Sequence, residues 1–305
     1  LVERLGWVEH RVVDRTSLAV PPLWEILDRL GVSVGVVDGY YYSIPAVPLE
    51  GEGSYLFSRG LRFLEGQAET VSNLSPEMLA LLIQPVSRVE HFAPFEDEGD
   101  CFWQSKTLLS LLDAGPQPDY AQLYCHQPDL AMHKFWKWHQ PELFFAVSQD
   151  DLALHGNKIR QVHVDLDAIL GQIMDRLEDD TTLIVASDHG QSPVFLHHRH
   201  YAHHLHGPPG ILLMAGPSVR ADQRLTTAGI YDLMPTVLHL LGLPIAEDMA
   251  GQVLLDAFVA EFARDTVVRT TASYDGLGSE LADEAPGLEI DEEELENLRA
   301  LGYIN

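Results

Sequence analysis

Two short stretches of the sequence combine aspartate with histidine at spacings that suit metal binding. Asp129 and His133 lie four residues apart, so on a helix their side chains share one face and can bind one cation. Asp188 and His189 are adjacent, and Gly190 after them permits a tight turn that points both side chains into one pocket. The structural alternatives are a surface ion pair for the first stretch and a polar loop for the second.

A third stretch is rich in histidine, with six of the fifteen histidines of the chain within ten residues. They are His197, His198, His200, His203, His204 and His206. Compositional bias explains most of them. His206 is predicted to be a metal ligand because it directly precedes an apolar strand at 210–215 and so lies near the sheet, with His200 or His203 as alternatives.

Aspartate oxygens and histidine nitrogens together suit zinc, with manganese or iron as less specific alternatives. Two such ions about 3.5–4 Å apart form a clamp for phosphoryl or related ester transfer. The three stretches supply two aspartates and three histidines. They therefore predict a site for two divalent metal ions.

The elements that must position these residues alternate between apolar strands and amphipathic helices. Strands are predicted at 32–37, 120–124, 181–187 and 210–215, and helices at 17–30, 157–177 and 232–241. Unbroken apolar strands separated by helices predict an α/β fold with a mostly parallel central sheet and helices on both faces. Ligands of such sheets bind beyond the carboxyl ends of the strands, where Asp188 and His189 follow the strand at 181–187.

The predicted domain organisation is a single α/β domain over 1–305 that lacks its N-terminal start. Residues 51–116 break the alternation and are expected to be a cap-like insertion with one helix at 76–83. Residues 274–305 are expected to be an acidic linker followed by a terminal helix at 291–301.

The composition excludes several classes of partner. Acidic residues outnumber basic ones by 46 to 19, a net charge of −27, which repels nucleic-acid phosphates and anionic membranes. The sequence contains no apolar run of about 18 residues, so no membrane span is predicted. Cys101 and Cys125 are too few for a disulfide framework and are expected to be free thiols, with a single disulfide as the alternative.

The order of the three stretches resembles the alkaline phosphatase superfamily, and the type I phosphodiesterase/nucleotide pyrophosphatase family most closely. The carrying motifs are Asp129-x-x-x-His133, Ser187-Asp188-His189-Gly190 and His206-x-x-x-Gly210. Residues 23–37, 216–217, 232–244 and 298–303 also resemble segments of that family. The resemblance covers most of the chain except the insertion.

The resemblance implies that Asp129, His133 and His206 hold one metal ion and that Asp188 and His189 hold the other. It implies a metal-dependent hydrolase of small-molecule phosphate esters that forms a covalent intermediate on a threonine or serine nucleophile. The family's first-strand aspartate and this nucleophile match nothing before Leu23. We therefore expect both to lie upstream of Leu1 and the chain alone to be inactive. The alternatives are a sulfatase or phosphomutase of the superfamily, or a non-catalytic metal-binding domain.

Overall fold

The computed structural model of the chain describes residues 20–37, 49, 54–57, 102–194 and 201–277. The chain divides into two compact units, residues 1–125 with 275–305, and residues 126–274, and each is described by itself. The helices predicted at 76–83 and 291–301 lie outside the described residues. The single domain over 1–305 and the roles of 51–116 and 274–305 stay predictions.

The first unit contains a parallel sheet of three strands in the order β2-β1-β3. The strands are β1 (Val34–Val37), β2 (Tyr55–Phe57) and β3 (Tyr120–Leu123). All four residues of β1 are buried, as its three valines around Gly35 predict for a parallel strand covered on both faces. The mixed α/β class with a parallel sheet is therefore confirmed.

Two helices accompany this sheet, α1 (Leu23–Arg29) and α2 (Phe102–Ala114), and both contact β1. Helix α1 begins after Pro22 and ends before Gly31, whose φ of +83° is the left-handed conformation that stops a helix. β2 and α2 fall within 51–116, so this part of the predicted insertion contributes to the layer around β1.

Cys125 follows β3 and is disulfide-bonded. The expectation that it is a free thiol is therefore wrong. The number of cysteines in a sequence does not reveal which of them the fold brings within bonding distance, and this distance decides the outcome.

The second unit begins with three helices. They are α3 (Gln127–His139), α4 (Gln149–His155) and α5 (Lys158–Met174). Helix α3 packs against α5 and also contacts α4. Ser148 caps α4, since its side-chain oxygen accepts a hydrogen bond from the backbone N–H of Asp151 at 3.0 Å. The helix predicted at 157–177 is confirmed, with its end three residues earlier.

Four strands follow. β4 (Leu183–Ala186) pairs with β7 (Leu212–Ala215), and between them β5 (Ser192–Pro193) pairs with β6 (Ala202–His203). Both pairs are antiparallel, which differs from the parallel arrangement expected for β4 and β7. A parallel pair needs a crossover of a dozen or more residues, usually a helix, and the described residues between β4 and β7 contain no α-helix.

The rest of the second unit contains α6 (Leu233–Leu240), β8 (Ile245–Ala246), α7 (Ala260–Asp265) and β9 (Thr270–Thr271), with β8 and β9 parallel. Asp232 precedes α6 as predicted, but its carboxylate accepts hydrogen bonds from the backbone N–H groups of Gly229 and Gln252, each at 2.8 Å. Short 3₁₀ helices of this unit span Pro141–Leu143, His204–His206, Ile230–Asp232 and Leu255–Ala257, and one of the first unit spans Asp275–Leu277.

Among the helices in the described part of the chain, none has both the length and the apolar character needed to span a membrane.

Candidate metal centre

Helix α3 positions Asp129 and His133 at the core of the candidate site. Both lie on one face because they are one helical turn apart, and Asp129 Oδ1 is 3.5 Å from His133 Nε2. The His133 side chain is 1% exposed and that of Asp129 is 15% exposed. Asp129 also lies in the first turn of α3, where the helix dipole favours a negative charge.

A backbone hydrogen bond fixes the orientation of the His133 ring. Its Nδ1 lies 2.7 Å from the carbonyl oxygen of Ala202 in β6, and since a carbonyl only accepts, Nδ1 donates. Burial lowers the pKa of His133, which favours the neutral ring and leaves a lone pair on Nε2. A lone pair facing a carboxylate oxygen is repulsive without a cation between them, so this pair fits a divalent metal ion.

His204, the first residue of a 3₁₀ helix, completes the donor set. One ligand atom from each of Asp129, His133 and His204 lies within 4.8 Å of the other two. Burial, followed by the proximity of His189 and His133, lowers the pKa of His204. Two neutral imidazoles and one carboxylate are a donor set that zinc accepts.

Two further side chains contact the Asp129 carboxylate. His126 Nε2 lies 3.2 Å from Oδ2, and the side-chain N–H of Gln191 donates to Oδ1. Neither residue belongs to the ligand set predicted from the sequence. A signal was available for each, because His126 precedes Asp129 by three residues and Gln191 directly follows Gly190.

Asp188 and His189 follow β4, as predicted. The backbone N–H of His189 donates to Asp188 Oδ1 at 3.1 Å, and the two residues also face each other through Nε2 and Oδ2 at 3.6 Å. Nδ1 of His189 donates to the carbonyl oxygen of Gly190 at 3.2 Å. The His189 and His204 ring centroids are 4.6 Å apart. The Asp188–His189 pair therefore lies beside the cluster of Asp129, His133 and His204.

Close contact between two backbone segments holds the turn after β4. The backbone N–H of Gly190 donates to the carbonyl of Pro208 at 2.8 Å. A Cβ atom on Gly207 would collide with the carbonyl oxygen of Gly190, and one on Gly210 would collide with that of Ser187. Glycine at these positions therefore allows residues 187–191 to lie against residues 207–211.

His206 lies in the same 3₁₀ helix as His204, but it is exposed and outside the cluster that Asp129 and His133 form among the described residues. Its carbonyl oxygen accepts a hydrogen bond from the Ser192 hydroxyl at 2.8 Å. The structure brings His204 to the first pair and does not bring His206. The metal-binding role of His206 stays a prediction, and His197, His198 and His200 lie outside the described residues.

A family model described as type I phosphodiesterase / nucleotide pyrophosphatase matches residues 5–235, more than half of the chain. The chain belongs to this family. The resemblance that the motif order predicts is thereby confirmed.

The curated relatives that the chain resembles include an arylsulfatase and a phosphoglycerate mutase. Arylsulfatase K of Gallus gallus is 32% identical over 117 residues, which are 34% of this chain and 21% of the relative. A 2,3-bisphosphoglycerate-independent phosphoglycerate mutase of Cereibacter sphaeroides is 37% identical over 79 residues, which are 25% of this chain and 15% of the relative. The matches thus span about a fifth or less of these relatives. No solved structure matches the chain significantly.

These similarities to a sulfatase and a phosphomutase fit the alkaline phosphatase superfamily. The family match supports an enzyme of the hydrolase or phosphotransferase type.

Proposed function

We propose that the protein is a metal-dependent hydrolase of small-molecule phosphate esters, of the phosphodiesterase/nucleotide pyrophosphatase kind. The observation that carries the proposal is the convergence of Asp129, His133 and His204, from α3 and from the segment after β6, within 4.8 Å. Family membership over residues 5–235 supports the ester class.

The proposed site binds two divalent ions, zinc with manganese or iron as alternatives. Asp129 and His133 hold the first ion together with a histidine of the 3₁₀ helix at 204–206. His204 has the geometry for this role, whereas His206 has the motif position. Asp188 and His189 hold the second ion. When bound, such ions neutralise phosphate oxygens and lower the pKa of an oxygen nucleophile.

The chain's own residues present the ligands. His133 and His189 each donate Nδ1–H to a backbone carbonyl, of Ala202 and Gly190 respectively, so that Nε2 is the ring nitrogen that would bind a metal ion. The family resemblance assigns the attack on phosphorus to a threonine or serine, and we propose no residue of this chain for that step.

The curated relatives favour a second candidate function. Similarity to arylsulfatase K supports a sulfate ester as the substrate, and similarity to the mutase supports phosphoryl transfer between hydroxyls. A non-catalytic metal-binding domain is the third alternative. These alternatives share the metal site and differ in turnover.

The decisive experiment measures metal content first and turnover second. We expect the purified chain to retain zinc after dialysis and Asp129→Asn to lose it. Asp167→Asn, an exposed aspartate on α5, is the matched control and should retain zinc. Wild-type protein that binds no zinc, manganese or iron would refute the proposal.

Turnover is then compared on three aryl esters, bis(4-nitrophenyl) phosphate, 4-nitrophenyl phosphate and 4-nitrophenyl sulfate. We expect the full-length gene product to hydrolyse the phosphodiester fastest. Preference for the sulfate would establish the sulfatase alternative. Zinc binding without turnover by the full-length product would establish the non-catalytic one.

A further inference from the structure

Gln191 connects the two metal-binding motifs of the proposed site. It directly follows Asp188-His189-Gly190, and its side-chain N–H donates to Oδ1 of Asp129 on α3, a residue 62 positions earlier in the chain. Gln191 is buried, with 5% of its surface exposed. A buried amide bonded to a candidate ligand is a feature that neither the family motif nor the predicted ligand set contains.

The Asp129 carboxylate is held at both of its oxygens. Oδ1 accepts from Gln191 and faces His133 Nε2 at 3.5 Å, while Oδ2 lies 3.2 Å from His126 Nε2. A hydrogen bond to Oδ1 restricts rotation of the carboxylate about the Cβ–Cγ bond of Asp129. Because a carboxylate oxygen has two lone pairs, Oδ1 can accept this bond and still face the donor set.

The chemistry of an amide suits this role. A lysine or arginine at position 191 would neutralise the carboxylate and compete with a cation, whereas a neutral amide orients the carboxylate and leaves its charge in place. Gln191 Oε1 is buried and has no hydrogen-bond partner among the described residues. The hydrogen bond to Asp129 is therefore what fixes which end of the amide points at the site.

We propose that Gln191 is a positioning residue of the metal centre, which holds the Asp129 carboxylate in the orientation that faces His133 and His204. This inference rests on the proposed function, since it requires that the cluster binds a metal ion. Gln191 itself is not a ligand. It acts through Asp129.

The test replaces Gln191 by methionine, which has a similar length and no amide donor. Outer-shell partners of metal ligands change metal affinity by about 10–100-fold, so we expect Gln191→Met to raise the zinc Kd by about 10-fold. We also expect a changed visible absorption spectrum of the Co²⁺-loaded protein, because the coordination geometry shifts. Zinc affinity is measured by competition with a chromophoric chelator.

The chain offers a matched control in Gln161, whose side-chain N–H donates to Asp165 Oδ1 at 2.8 Å on the exposed surface of α5. Gln161→Met removes the same kind of bond outside the site and should leave zinc affinity and the cobalt spectrum unchanged. Gln191→Leu is a second apolar variant that keeps the test valid if methionine at 191 prevents folding.

A double variant shows whether Gln191 acts through Asp129. In an Asp129→Asn background, Gln191→Met should have almost no further effect on the weakened binding of zinc. An undiminished effect there, or a zinc Kd for Gln191→Met within twofold of the wild-type value, would overturn the inference while the proposed function stands. Absence of zinc binding by the wild-type chain would overturn both.

Discussion

The two Asp–His pairs of the candidate centre have the same donor pattern in different environments. In both pairs the histidine Nδ1 bonds to a backbone carbonyl and Nε2 faces a carboxylate oxygen, at 3.5 Å in Asp129–His133 and 3.6 Å in Asp188–His189. The side chains of the first pair are 15% and 1% exposed, whereas those of the second are 74% and 29% exposed. The two pairs therefore differ in burial and in the structure that holds them, whereas their donor atoms are of the same types.

The difference shows what each kind of backbone contributes. A helix fixes the spacing of Asp129 and His133 by its own hydrogen bonds, and burial holds the imidazole neutral and ready to bind. The turn at Asp188 and His189 depends instead on its contact with residues 207–211. We therefore expect the α3 pair to bind the tighter of two metal ions.

The largest expected effect separates the two pairs directly. His133→Ala should raise the Kd of the tighter zinc ion more than about 100-fold, above the range for outer-shell partners, because a ligand is lost. His189→Ala should leave that ion bound and remove the weaker one. Calorimetric titration of metal-free protein gives both affinities and the stoichiometry.

His163→Ala is the control, since His163 on α5 also bonds through Nδ1 to a carbonyl, that of Ile159, at 2.8 Å. Equal losses of the tight ion in His133→Ala and His189→Ala would show that the two pairs form one inseparable site.

The next largest effect tests whether contact with residues 207–211 holds the turn at Asp188 and His189. Gly207→Ala places a Cβ against the carbonyl oxygen of Gly190, so it should lower the free energy of unfolding by about 1–3 kcal/mol, as overpacking does. The weaker zinc ion should be lost while the tighter one remains. Urea denaturation and zinc titration measure the two outcomes.

Gly171→Ala on α5 is the matched control with the opposite sign. An added Cβ there meets nothing within 4 Å, and alanine in a helix interior is more stable than glycine by about 0.5–1 kcal/mol. If Gly207→Ala is as stable as wild type, the close contact of the two segments does not support the turn.

A smaller effect distinguishes two histidines of one 3₁₀ helix. His204→Ala should raise the Kd of the tighter zinc ion about 10-fold. The loss is smaller than for His133→Ala because the His203 ring, 4.3 Å from that of His204 between centroids, can partly replace it. His206→Ala should change this Kd less than about twofold. The reverse order would support the family motif position over the geometry.

The smallest expected effect concerns His239, a buried histidine outside the candidate metal centre, and tests how burial alone changes the pH dependence of stability. His239 on α6 is 1% exposed and packs against Phe258 and Phe262, and burial lowers its pKa from the usual 6.5. The unfolded chain therefore binds this proton at a higher pH than the folded chain does. Stability from this group is complete above about pH 6.5 and decreases as the pH falls toward the folded pKa.

His239→Gln should thus reduce the slope of unfolding free energy against pH below about pH 6.5. Urea unfolding at several pH values, with metal-free protein, gives that slope. An unchanged slope would mean that burial of this histidine does not govern its protonation.

Local patterns predicted several of the described elements and missed others, such as β2, α2 and α4. The apolar runs around Val34–Val37 and Leu183–Ala186 form strands, and the segment with helical apolar periodicity at 157–177 forms a helix. These signals lie within a few residues of sequence, which is why they could be found. The antiparallel pairing of β4 with β7 could not be predicted, because it depends on a connection whose path in space no local pattern records.

The sequence by itself determined the donor atom types and the spacing of the first pair. An aspartate and a histidine four residues apart on a helix must share a face, whatever the rest of the chain does. The order of the motifs was likewise enough to indicate the family.

Only the tertiary structure decided which side chains join that pair. His204 rather than His206 faces Asp129 and His133, and Gln191 reaches Asp129 across 62 positions of sequence. The tertiary structure also buried His133 and left Asp188 exposed. The physical reason is that solvent exclusion and long-range approach depend on how distant segments pack, whereas side-chain type and helical spacing are local properties of the chain.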